Sequence, residues 1–171
     1  DIAATISGLT SSDNLRSLII GGESKTVEFK ETFSLDVKTK QKEKYIEHSS
    51  LKTISGFLNA KGGKLFIGVN DSQEITGIEE ELKKFYKGSK DNYLLHFKNN
   101  INTHVGLKVS DYIDYNIQVL DGKEILLVEC LESPRPCFID KKDFFMRTNP
   151  ATVKLEGEEL AQYIQNHFHS D

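Results

Sequence analysis

Glu23, Glu28 and Asp71 are the residues whose types and positions could do chemistry together. Glu23 stands just before Val27-Glu28-Phe29-Lys30, whose period of two marks a strand, and Asp71 stands in the turn that leaves the apolar run at residues 64–69. Strand ends and the turns after them fix the backbone while leaving side chains open, which is why functional groups gather there. Carboxylates about 5 Å apart repel one another by about 3 kcal/mol at an effective dielectric near 20, so something positive must sit among them. Lys30, on the same strand face as Glu28, is one candidate, and a hard divalent cation held by the three acids is the other. Such a cation activates water and steadies the charge that builds on a phosphate oxygen. A plainer reading stays open: Glu28 and Lys30 are exposed strand residues, and Asp71 forms a turn.

The basic residues suit a phosphate backbone. Lys38, Lys40, Lys42 and Lys44 occupy alternate positions where periodicity is lost, so residues 34–44 read as a mobile basic loop that either grips nucleic acid or is merely solvated. Lys25 adds a charge beside Glu23. Arg147, after the aromatic pair Phe144-Phe145, either binds phosphate, stacks on a base or closes a salt bridge. The net charge of −4 argues against a whole-surface footprint for nucleic acid. Its distribution is uneven: residues 1–70 hold ten Lys/Arg against eight Asp/Glu, and the remainder twelve against eighteen.

With 171 residues, 37% hydrophobic and 28% charged, the chain is expected to fold as one domain over residues 1–171. No apolar run has the length of a membrane span, so no membrane partner is expected. The chain opens at Asp1 without a methionine, which suggests a piece excised from a longer polypeptide with fused domains as partners. Cys130 and Cys137 lack zinc-ligand spacing and are too few for a disulfide framework, pointing to inert thiols in a reducing, cytoplasmic compartment without zinc. Neither GxGxxG nor Gly-Lys-Ser/Thr occurs, which excludes those forms of nucleotide cofactor binding.

The elements that must position the acids follow from pattern. Ser11-Ser12-Asp13 reads as the cap of a short helix ended by Gly21-Gly22. A helix is expected over about residues 45–59, stopped by Gly62-Gly63 and followed by a strand buried on both faces. Residues 74–78 read as another short strand, and about 79–102 as a helical region broken near Gly88-Ser89. Asp121-Gly122 turns a hairpin between residues 115–120 and 124–130. A second hairpin joins Phe138-Ile139 to residues 144–147, and a last helix lies near 156–167. The fold class is α/β, in the mixed α+β sense: a single-lobe mixed β-sheet flanked by helices.

Four blocks in order, Gly21-Gly22-Glu23-Ser24, Val27-Glu28-Phe29-Lys30, residues 51–59 and Gly62-Gly63 through Asn70-Asp71, resemble the Schlafen AlbA-type domain family. The resemblance extends to Glu74–Ile78 and, more loosely, to residues 144–150. Bacterial and archaeal members are often labelled DNA-binding, and some animal members are endoribonucleases acting on structured RNA such as transfer RNA. Matched residue by residue, their Glu, Glu, Asp pattern falls on Glu23, Glu28 and Asp71, with Asn70 replacing a more frequent aspartate. The resemblance thus implies a nuclease holding Mg²⁺ or Mn²⁺ at those acids, RNA favoured over DNA; beside it, the residues themselves lead us to expect that Lys30 steadies the scissile phosphate and that Glu28→Ala with Asp71→Ala abolishes cleavage without loss of fold. The animal enzymes pair two lobes and carry a zinc cluster; this chain has one lobe and lacks those ligands, so a homodimer is one way to rebuild the cleft. The alternatives are a non-catalytic DNA- or RNA-binding regulatory module and an interaction or sensor domain in phage defence.

Overall fold

The computed structural model describes residues 2–168, with side chains from Ser12 onward. Asp1 and His169 to Asp171 lie outside the described residues, so the ends of the expected 1–171 domain do too. The architecture is mixed α+β. Helix α1 (Ile2–Gly21) leads to strand β1 (Val27–Lys30), helix α2 (Lys44–Leu58) and strand β2 (Gly63–Ile67). Helices α3 (Glu79–Phe85) and α4 (Lys90–His104) and a 3₁₀ segment (Leu107–Tyr112) follow. The hairpin β3 (Ile113–Leu120) and β4 (Lys123–Cys130) precedes β5 (Phe138–Ile139), β6 (Asp143–Arg147), β7 (Thr152–Leu155) and helix α5 (Gly157–His167).

One sheet has the order β1-β2-β4-β3, with β1 and β2 parallel and the other neighbours antiparallel. The period of two in β1 and β4 divides the core. Val27, Phe29, Ile125 and Leu127 face α1, where Leu15 and Ile19 cover them, while Leu65, Ile67, Leu126 and Val128 face Leu51, Ile54 and Leu58 of α2. The small antiparallel sheet β5-β6-β7 lies against the same helix. Gly62 has φ +75°, and a Cβ there would stand 2.5 Å from the Cys130 carbonyl oxygen, so helix and strand join this closely only through glycine.

Several expectations are corrected. Helix α1 runs through Ser11-Ser12-Asp13 from Ile2 instead of starting there. Residues 74–78 form no strand beyond a Val69–Ile75 bridge, because the Thr76 and Gly77 amides both donate to the Gly68 carbonyl and Gly77 turns away at φ +79°. Strand β7 has no apolar alternation to announce it, since Val153 and Lys154 are exposed. Residues 34–44 are a tied hairpin, not a loose loop: Leu35 bridges Lys42, and the Glu43 amide donates to the Ser34 carbonyl at 2.9 Å. The buried Glu81 carboxylate accepts the amides of Phe33 and Leu35, each at 3.0 Å, and that of Ser34. Both cysteines are free and buried, and burial raises both thiol pKa values. Among the described residues no helix is long and apolar enough to cross a membrane.

Candidate active site

Glu23, Glu28, Lys30 and Asp71 line one cleft of about 490 Å³. Because β1 and β2 are parallel, the end of β1 and the turn after β2 emerge on the same side, which brings Glu28 and Lys30 near Asp71. The Asp71 turn is built by its neighbour: Asn70 Oδ1 accepts the amides of Ser72 at 3.0 Å and Glu74 at 2.9 Å. Gln73 Nε2 donates to the carbonyls of Ile19 and Ile20 at 2.8 and 2.9 Å, tying that turn to the end of α1 just ahead of Glu23. Asparagine at position 70 therefore serves the turn's geometry. Glu23 Oε1 accepts the Phe29 amide at 3.4 Å along the free edge of β1.

The expected face of Glu28 is overturned: it is 9% exposed, not open to solvent. Strand β6 covers it, and Arg147 Nη1 donates to Glu28 Oε2 at 2.6 Å. Arg147 is 0% exposed, so direct contact with phosphate or base is excluded; of the readings open for it, the salt bridge is the one that forms. Its guanidinium also donates to Thr152 Oγ1 at 3.1 Å and to the carbonyls of Ser24 at 2.8 Å and Val27 at 3.0 Å, and it lies 5.1 Å from the Phe57 ring centre. The positive group beside Glu28 is therefore Arg147; a salt bridge was among the readings open for it, and what sequence reasoning missed is that its partner is this acid. The signal available was an arginine closing the apolar run Phe144-Phe145-Met146, which must be paired if buried.

Glu23 is pushed up to about 7, first by partial desolvation, then by the hydrogen bond and charge of Glu28 and the charge of Asp71, against the lowering effect of the Phe29 amide. A carboxyl raised in the folded state binds its proton more tightly there than in the unfolded chain. Its ionisation thus costs stability, a cost absent below about 4.5 and complete above about 7. Between those values the wild type should lose urea resistance relative to Glu23→Gln; parallel pH profiles of the two midpoints would contradict this origin of the shift.

The predicted basic residues disperse. Lys38 lines the cleft, Lys40 pairs with Glu80 at 3.1 Å, Lys42 lies 5.1 Å from the Tyr86 ring centre, and Lys44 lines a separate groove. Lys25 is exposed beside Glu23. The four alternate lysines thus do not form one grip, because the hairpin at residues 34–44 turns them in different directions. The cleft itself is anionic, with Glu31 and Asp36 joining the three acids against Lys30 and Lys38. Tyr45, donating to Asp36, and the amides of Lys38 and Thr39 hold the Asp36 carboxyl below its ordinary value.

The three acids are the oxygen donors a hard cation takes, and Arg147 balances only Glu28. Among the described residues no three Asp, Glu, His or Cys side chains already stand as a ligand shell. Glu23 and Asp71 are exposed and outside the strands, with the rotamer freedom to close on a cation, so the donor set fits one by chemistry without being preformed.

No curated protein matches the chain. Among solved structures it is similar to the DIP2311 protein from Corynebacterium diphtheriae, with a TM-score of 0.60 and 15% identity over 86% of this chain and 25% of that one. That likeness supports the fold, and the chain spans only about a quarter of that protein. Residues 23–156, from the first acid through the strand after Arg147, match the family described as Schlafen, AlbA_2. With most of its length matched, acids and buried arginine included, the chain belongs to the Schlafen AlbA_2 family, whose domains are nucleic-acid-related.

Proposed function

We propose that this domain cleaves phosphodiester bonds in nucleic acid, RNA before DNA, with Mg²⁺ or Mn²⁺ held by Glu23, Glu28 and Asp71. The observation that carries the reading is the meeting of Glu23 and Glu28, from around β1, with Asp71, from the turn after β2, and Lys30 in one cleft. Arg147 balances Glu28, but Glu31, Asp36 and Asp71, joined by Glu23 where it is ionised, still outnumber Lys30 and Lys38, which favours a cation-assisted reaction over simple charge attraction. A bound divalent cation supplies Lewis acidity and a nucleophilic water at neutral pH. Glu28, fixed by Arg147, sets the floor of the site; Glu23 and Asp71 orient from its rim; Lys30 offers its ammonium to a phosphate oxygen. The preference for RNA rests on the resemblance to animal members that act on structured RNA.

A second reading, a binding module without catalysis, is favoured by the lack of a preformed ligand shell among the described residues. Labelled transfer RNA and single- and double-stranded DNA, incubated with Mn²⁺, Mg²⁺ or EDTA, separate the two on one gel. Cutting that requires the cation and falls most on RNA is expected. Retention without cutting in every condition would replace the nuclease by the binding module.

A further inference from the structure

Helix α2 separates two cavities. Its N-terminal residue Lys44, with His48 one turn on, borders a groove of about 440 Å³ whose opposite wall is His96, Asn100 and His104 of α4. These three α4 residues are spaced four apart, so they share one helix face at a rise of about 6 Å per step. The acids nearby are already engaged: Glu47, buried, bonds His96 and the Ser34 hydroxyl, and Asp140 bonds His104 at 2.6 Å. Asn100 Nδ2 is engaged too, on the His96 carbonyl at 3.0 Å, so what remains open to a ligand is the Lys44 ammonium and the imidazole edges of His48 and His104, a lining without the free carboxylates of the first cleft.

Tyr45 borders both cavities. Its side chain is 59% exposed, unusual for a residue of this size, and its hydroxyl is anchored on Asp36. The ring therefore stands fixed on the ridge between a cleft suited to a scissile phosphate and a groove suited to further phosphates.

We infer that Tyr45 and the groove between α2 and α4 form a flanking subsite for single-stranded nucleic acid: one base stacks on the Tyr45 ring, and the next phosphates lie along Lys44, His48 and His104. Aromatic stacking beside a basic group is how single strands are held without sequence preference, and Lys44 is the cation here, since burial and the nearby Lys52 lower the His48 pKa. A duplex cannot use this subsite, because its bases have no free face to offer the ring. The inference rests on the reading of the first cleft as the place where a phosphodiester backbone lies.

Binding read in Ca²⁺, an oxygen-ligated cation that can stand between the acids and the phosphates, with a gel confirming that the strands stay uncut, keeps this separate from catalysis. Fluorescence anisotropy of labelled oligouridine and oligothymidine, about four and about ten nucleotides long, would span the cleft alone and the cleft with the groove. The longer strand is expected to bind more tightly, with that gain reduced on the order of tenfold by Tyr45→Ala, retained by Tyr45→Phe and reduced by Lys44→Ala with His104→Ala. Unchanged thermal midpoints would show that these variants fold. Equal affinity for both lengths, a gain untouched by the variants, tighter binding of duplex, or no binding would each overturn the subsite. Metal-dependent cutting alongside length-independent binding would leave the nuclease standing and remove only the subsite, whereas a length gain without cutting would do the reverse.

Discussion

Arg147→Met should lower the free energy of unfolding by about 3–5 kcal/mol, because it leaves Glu28 buried without a counter-charge. The substitution keeps much of the aliphatic bulk against Phe57, so the loss reports charge and hydrogen bonding more than a cavity. Four acceptors, Glu28, Thr152 and the Ser24 and Val27 carbonyls, lose a donor at once. Arg147→Lys should rescue little, since one ammonium cannot reproduce a planar fork reaching two carbonyls and a carboxylate. Removing both charges, Glu28→Leu with Arg147→Met, should recover part of the loss. Urea midpoints at constant m-value measure all of these. A loss under about 1 kcal/mol for Arg147→Met would mean that the pair is solvated and that Glu28 is free to move.

Asp71→Asn and Glu23→Gln should each reduce metal-dependent cleavage about a hundredfold or more; Asp71→Asn should change stability by no more than about 0.5 kcal/mol, and Glu23→Gln should not lower it, since it removes the cost of ionising Glu23 near neutral pH. Both are exposed, so neither supports the core. Glu28→Gln should lose activity and stability together, because it strands a fully buried guanidinium. This revises the simplest test of the site: Glu28→Ala with Asp71→Ala will not leave the fold intact, and its loss of activity could not be assigned to chemistry. The informative comparison is kcat in the two exposed variants against their urea midpoints. Full activity in Asp71→Asn would end the three-acid proposal.

The sequence was most legible where period and chemistry agree. Val27 and Phe29 mark the core face of β1, Asp121-Gly122 marks the β3–β4 turn, and Gly88-Ser89 marks the break between α3 and α4. It was least legible where tertiary partners decide. Nothing local to residues 34–44 says that Glu81 will bind three of their amides, so alternate lysines read as a loose basic arm. Nor does the alternation of Glu28 and Lys30 say that a strand far along the chain will cover one and leave the other partly open. The three acids could be named from type and position, and they do line one cleft; the residue that makes their proximity tolerable could be named but not placed.

Glu28 and Arg147 lie 119 positions apart. During synthesis the amino-terminal strand leaves the ribosome long before its counter-charge does, so a nascent chain carrying all three acids still cannot complete the cleft. Function, whatever the substrate, should begin only after β6 has docked, which gives a domain of this kind a built-in delay between translation and contact with cellular nucleic acid.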